Sequence, residues 1–99
     1  MLNHLVLFRR KPGVEKQPER ERELVEKMDA LGVKIASIRY WKLSANEIQR
    51  PVCWDYSLES KFDDVAGLEA YLFHPAHVEL IALLKPYFEW AAVDYTSAG

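Results

Sequence analysis

The chain has 99 residues, 49% hydrophobic and 28% charged, with a formal net charge of −2 at pH 7. That length suits one domain with one core. The composition excludes a disordered chain, and with no basic excess there is no electrostatic footprint for nucleic acid. No apolar run approaches the ~18 residues of a membrane span.

The opening stretch "LNHLVLFRR" is β-rich and ends in charges, and reads as a first strand. His4, Val6 and Phe8 share one face, and Leu5 and Leu7 take the other. The basic cluster Arg9, Arg10 and Lys11 is a strand end emerging into water. No basic region precedes the apolar patch and no small-residue cleavage site follows it. "KPG" (Lys11 to Gly13) signals a turn. From Pro18 to Leu31 the pattern becomes helical. Pro18 suits a first helical position, and Leu24, Val25, Met28 and Leu31 form the apolar stripe. Glu19, Arg20, Arg22, Glu23, Glu26 and Lys27 carry the wet side, and Gly32 is a stop signal.

"VKIASIRYWKLS" (33–44) returns to β-branched and aromatic residues and reads as a second strand, followed by the connection "ANEIQRP". "VCWDYSLESKF" (52–62) alternates as a third strand. It places Trp54, Tyr56, Leu58 and Phe62 on one face and Cys53, Asp55, Ser57, Glu59 and Lys61 on the other. Cys53, the single cysteine, has no intramolecular disulfide partner. It reads as a small core or interface residue of a protein in a reducing compartment, here the cytoplasm. Asp63 and Asp64 are N-caps for a short helix carrying Val65, Leu68 and Leu72. "HPAHVELIALLKP" then begins another helix, and "EWAAVDY" (89–95) is a last strand. The domain is set at 1–96, with 97–99 as a frayed C-terminal tail.

Strand, helix, strand, strand, helices, strand folds most economically as an α+β ferredoxin-like sandwich, a four-stranded antiparallel sheet with helices on one face. The uncovered face, with Leu5 and Leu7, calls for a second copy and hence a homodimer.

The segment "YLFHPAH" carries the chemistry. Pro75 fits a first helical turn and His74 the cap before it. His77 lies on the stripe of Leu80, Ile81 and Leu84, pointing at the core. A buried imidazole needs a hydrogen-bond partner or costs about 1–3 kcal/mol. Three readings are open from spacing: a satisfied core histidine, a general acid–base group, or a metal ligand with His74 and His4. The last matches no standard ligand spacing, and neither metal nor cofactor is expected. The aromatic residues Trp54, Tyr56, Tyr71, Phe73, Tyr87 and Trp90 are either core or the wall of a largely apolar pocket for a small flat or acyl-chain ligand.

These residues resemble a family. "NHLVLFRRKPGV", "FDDVAGLEAYLFHPAHVELIALLKPYFEWAAVDY" and the spacing between them are similar to the stress-responsive A/B barrel domain, over nearly the whole chain. The resemblance implies a dimeric α+β barrel of two ferredoxin-like units with their sheets face to face. In one branch, typified by olivetolic acid cyclase, the tyrosine and second histidine of a Y-x-x-H-P-x-H segment close poly-β-keto chains by aldol condensation. On that resemblance Tyr71 and His77 are the candidate catalytic pair. His4, Tyr56, His74 and Trp90 are the candidate ligand-binding residues. Tyr56 stands where the cyclase has a histidine, and Glu26 near a pocket tyrosine, so the cyclase substrate does not transfer. The expectation is a homodimer binding a small, largely apolar or aromatic ligand between sheet and helices. The alternatives are cyclase- or lyase-like enolisation by Tyr71 and His77, or a non-catalytic stress or scaffold protein.

Overall fold

Alternation along the first strand sets the layers. In the computed structural model, which describes residues 1–97, strand β1 (Leu2–Arg10) buries His4, Val6 and Phe8 and turns Leu5 and Leu7 to the opposite face. The turn after it is built on sequence: the Val14 N–H donates to the Lys11 carbonyl (3.1 Å). Gly13 has φ +84°, a left-handed conformation that Pro12-Gly13 supplies without steric cost. Helix α1 (Pro18–Leu31) follows, with the predicted bounds, and buries Leu24, Met28 and Leu31. Strands β2 (Tyr40–Ala45) and β3 (Tyr56–Phe62), helices α2 (Val65–Leu72) and α3 (Pro75–Leu84), and strand β4 (Phe88–Thr96) complete the domain. This is the expected ferredoxin-like α+β sandwich.

The sheet is antiparallel in the order β2-β3-β1-β4. Register aligns one face toward the helices: Val6 sits opposite Leu58 and Ala92, Phe8 opposite Tyr56 and Trp90, and His4 opposite Ser60 and Asp94. Phe62 and Phe88, both fully buried, anchor this face against Leu68, Tyr71, Leu80 and Leu84 of the helices. The other face carries Leu5, Leu7, Val93, Tyr95 and Tyr40, the last four substantially exposed. Among them lie charged contacts: Arg9 covers the Trp54 ring at 4.3 Å and its Nε donates to Glu89 (2.6 Å).

Three sequence readings change. Residues 33–39 are turns, not strand; β3 ends at Phe62, so β2 pairing runs from Tyr40 opposite Lys61, and Arg39 reaches the ladder by one bond, its N–H donating to the Lys61 carbonyl (2.8 Å). The third strand begins at Tyr56, not Val52. The turn before it breaks the alternation, so Trp54 leaves the Tyr56 face and stacks under Arg9. Gly32 does cap the end of α1, as expected, but with φ −57° rather than in the left-handed conformation common at such stops. A Cβ there would lie 2.4 Å from Trp41 Cγ and Cδ1, so glycine is required for the close approach of the indole. Of the expected tail, Ser97 N–H donates to the Met1 carbonyl (3.2 Å), and 98–99 lie outside the described residues.

Candidate functional site

Between the layers lies a cavity of about 200 Å³. Its floor is the sheet, through His4, Val6, Phe8, Trp41, Leu58, Trp90 and Ala92, and its roof is Met28, Tyr71, Leu72, His77, Leu80, Ile81 and Leu84 of the helices. Among the described residues no Lys, Arg, Asp or Glu side chain lines it. Of its lining residues on the edge strand β4, Trp90 is half-buried and Ala92 exposed.

His77 owes its position to the α2–α3 junction. Helix α2 is capped by Asp64, whose Oδ1 accepts from the Gly67 N–H (2.8 Å). It places Tyr71 inward, 3% exposed. His74 then turns the chain into α3 with its side chain as the cap, Nδ1 accepting from the Ala76 N–H (3.1 Å). One turn on, His77 Nδ1 donates to the Leu72 carbonyl at the end of α2 (2.9 Å). A carbonyl can only accept, so Nδ1 carries the ring proton and a neutral ring leaves its lone pair on Nε2. Burial lowers the His77 pKa below its ordinary value, the bond to Leu72 opposes this, and nearby His4 adds to the lowering. The ring lies against Tyr71, with centroids 4.4 Å apart. Burial alone pushes the Tyr71 hydroxyl pKa well above its ordinary value. The pair therefore presents a neutral base and an un-ionised phenol near neutral pH.

His4, 7% exposed, packs edge-on against Tyr71, centroids 6.0 Å apart. Its Nδ1 is bonded to the Asp94 carboxylate, its cross-strand neighbour. Trp90 forms the wall beside Phe8. Four of the six sequence candidates thus share the cavity: Tyr71, His77, His4 and Trp90. Two do not. His74 is held as the helix cap. Tyr56 reaches away toward α1, where its hydroxyl donates to Glu21 Oε2 (2.6 Å). Glu21 Oε1 accepts from the Tyr87 hydroxyl (2.7 Å), which itself accepts from the Gln17 N–H (3.2 Å). Among the described residues no three His, Cys, Asp or Glu side chains gather as a metal site.

Sequence reasoning missed Glu21, Asp94 and Trp41. A signal existed for Glu21: it lies three residues before Leu24 and seven before Met28, on the apolar stripe rather than the wet face. Asp94 becomes a partner of His4 only through the β1–β4 register, which no local pattern encodes.

Fold and cavity together define a ferredoxin-like α+β domain with a small, mostly apolar pocket between its layers. The profile of the stress-responsive A/B barrel domain matches residues 2–97, and the chain belongs to that family. It is 38% identical over 95 residues to an uncharacterised protein of Streptomyces coelicolor, covering 96% of this chain and 98% of that one. Among solved structures it is similar to a dimeric Bacteroides fragilis protein of unknown function and ferredoxin-like fold. The TM-score there is 0.78 at 29% identity, over 97% of this chain and 95% of that one. The hydroxynitrile lyase of Passiflora edulis shares the fold, with TM-score 0.82 at 16% identity over 99% and 94% of the two chains. No helix among the described residues is long and apolar enough to cross a membrane.

Proposed function

We propose that this protein is a cytoplasmic homodimer that binds a small, largely apolar molecule between its sheet and helices. The carrying observation is the roughly 200 Å³ cavity, bounded by apolar side chains from both layers, with Tyr71, His77, His4 and the indoles of Trp41 and Trp90 as the lining residues that carry polar atoms. A cavity of about 150 Å³ accommodates benzene, so the space suits one ring with a small substituent rather than an acyl chain. The dimer is supported by the uncovered sheet face with Leu7, Val93, Tyr95 and Tyr40, and by the dimeric state of the similar B. fragilis protein. The lone cysteine favours the cytoplasm.

The test is an NMR titration with single-ring molecules against the wild type and Ala92→Trp, which fills the cavity at the exposed edge. Resonances of cavity residues are expected to shift in the wild type only. No perturbation by any molecule, or equal perturbation in both proteins, overturns the reading and leaves the scaffold role. Light scattering is expected to give a mass of two chains, and a single-chain mass overturns the dimer.

A second reading, proton transfer at a carbon beside a carbonyl, is favoured by one observation: the Leu72 carbonyl fixes the His77 tautomer. His77 would then take the proton at Nε2 while Tyr71 donates to the carbonyl oxygen. Deuterium exchange into a cyclic β-diketone should fall about 100-fold or more in His77→Ala, and an unchanged rate removes this reading.

A further inference from the structure

We propose that the cavity selects neutral, single-ring molecules carrying a hydroxyl, a simple phenol being the representative, and holds them by an O–H···N bond to His77 Nε2. This rests on the small-molecule reading above and narrows it to a chemical class.

Four observations carry it. First, size admits one ring. Second, the floor carries flat aromatic rings, with the Phe8 and Trp90 centroids 5.9 Å apart, and the roof carries the aliphatic Leu80, Ile81 and Leu84. Third, among the described residues no Lys or Arg lines the space. A carboxylate or phosphate would lose its hydration there with no fixed cation to replace it, and a bare buried anion is strongly disfavoured. His4 does not supply that cation freely, because its Nδ1 is bonded to Asp94, whose negative charge opposes a second anion nearby. Fourth, the His77 tautomer is set by the backbone. With Nδ1–H given to Leu72, Nε2 is an acceptor with no protein donor among the described residues, and a ligand that displaces water from it must bring its own proton to satisfy it. The Tyr71 hydroxyl serves as donor or acceptor and so excludes neither kind of ligand. It is the histidine that demands a donor.

A hydroxyl on a ring answers all four at once. Near neutral pH a phenol, like tyrosine, keeps its proton, is uncharged, and is flat. An ether of the same shape has no proton to give, and an aryl carboxylate carries the charge that the walls cannot meet.

The experiment compares phenol, anisole, toluene and benzoate by NMR titration at pH 7.5, on the wild type and on His77→Leu, which keeps the bulk and removes the acceptor. In the wild type, phenol is expected to bind about five- to tenfold more tightly than anisole, the worth of one neutral hydrogen bond. Benzoate is expected to be weakest. In His77→Leu the phenol advantage over anisole should vanish while toluene binding persists, which also shows that the variant is folded. Equal binding of phenol and anisole to the wild type overturns the class but leaves the apolar pocket standing, since toluene still binds. Benzoate binding more tightly than phenol overturns the exclusion of anions. Failure of toluene and anisole as well as phenol overturns the pocket reading itself.

Discussion

Two polar clusters sit at the same sheet–helix boundary and are built in opposite ways. In the Tyr56–Glu21–Tyr87 cluster every oxygen of the carboxylate is used: one accepts from each tyrosine, and the Tyr87 oxygen also takes the Gln17 N–H. In the Tyr71–His77–His4 cluster the groups touch as rings, yet their hydrogen bonds run outward to Leu72 and Asp94. The side toward the cavity is left unspent. Polar groups that satisfy one another fasten a structure, whereas groups held in place but unsatisfied beside a void are available to something else.

The comparison can be broken or sharpened by substitution. The largest effect is expected from Glu21→Ala, which strips both phenols of their charged acceptor. Stability should fall by about 2–3 kcal/mol in urea unfolding, while ligand titration of the cavity changes little. Tyr56→Phe and Tyr87→Phe each remove one donor and should cost about 1 kcal/mol by the same measurement. Tyr71→Phe removes a hydroxyl whose pKa is raised by burial alone, with no hydrogen bond contributing. It should move stability by less than about 0.5 kcal/mol, and a loss as large as that of Tyr87→Phe would erase the distinction between the clusters.

The smallest effect is the pH dependence. The pKa values of Tyr56, Tyr71 and Tyr87 are raised on folding, by burial first and, for Tyr56 and Tyr87, also by Glu21. The folded state then keeps protons that the unfolded chain gives up. The resulting stability is intact below the ordinary tyrosine pKa near 10 and is lost as pH rises above it. His77 works the other way. Its pKa is lowered, so its contribution is intact above the ordinary histidine value near 6.5 and is lost as pH falls. Urea midpoints across pH should therefore decline on both sides, and His77→Leu should flatten the acid side.

Much of this was legible in the chain. Pro18 and the Leu24–Met28–Leu31 stripe mark α1 from first residue to last, and the alternation of His4, Val6 and Phe8 assigns both faces of β1. The His77 stripe position correctly turns that ring inward. What local pattern could not carry was pairing. Val33 to Ile38 has strand-like residues but lies beyond the end of β3, where the pairing stops. Trp54 looks in phase with Tyr56 until the bend at Asp55 is counted. The Tyr56 hydroxyl leaves the pocket for Glu21, which lies 35 residues away on a helix otherwise rich in surface charge. In each case a tertiary neighbour decided the outcome over local preference.

The share that the marginal strand β4 has in lining the cavity has one more consequence. Trp90 and Ala92 shape the space from β4, which is hydrogen-bonded on one side only. Side chains there can be exchanged for larger or smaller ones while Phe62, Phe88 and Leu84, the fully enclosed centre, stay in place. Descendants of one ancestral scaffold could thereby come to hold different guests with few changes and no loss of architecture. Chains as diverged as the 16%-identical plant lyase still share this frame.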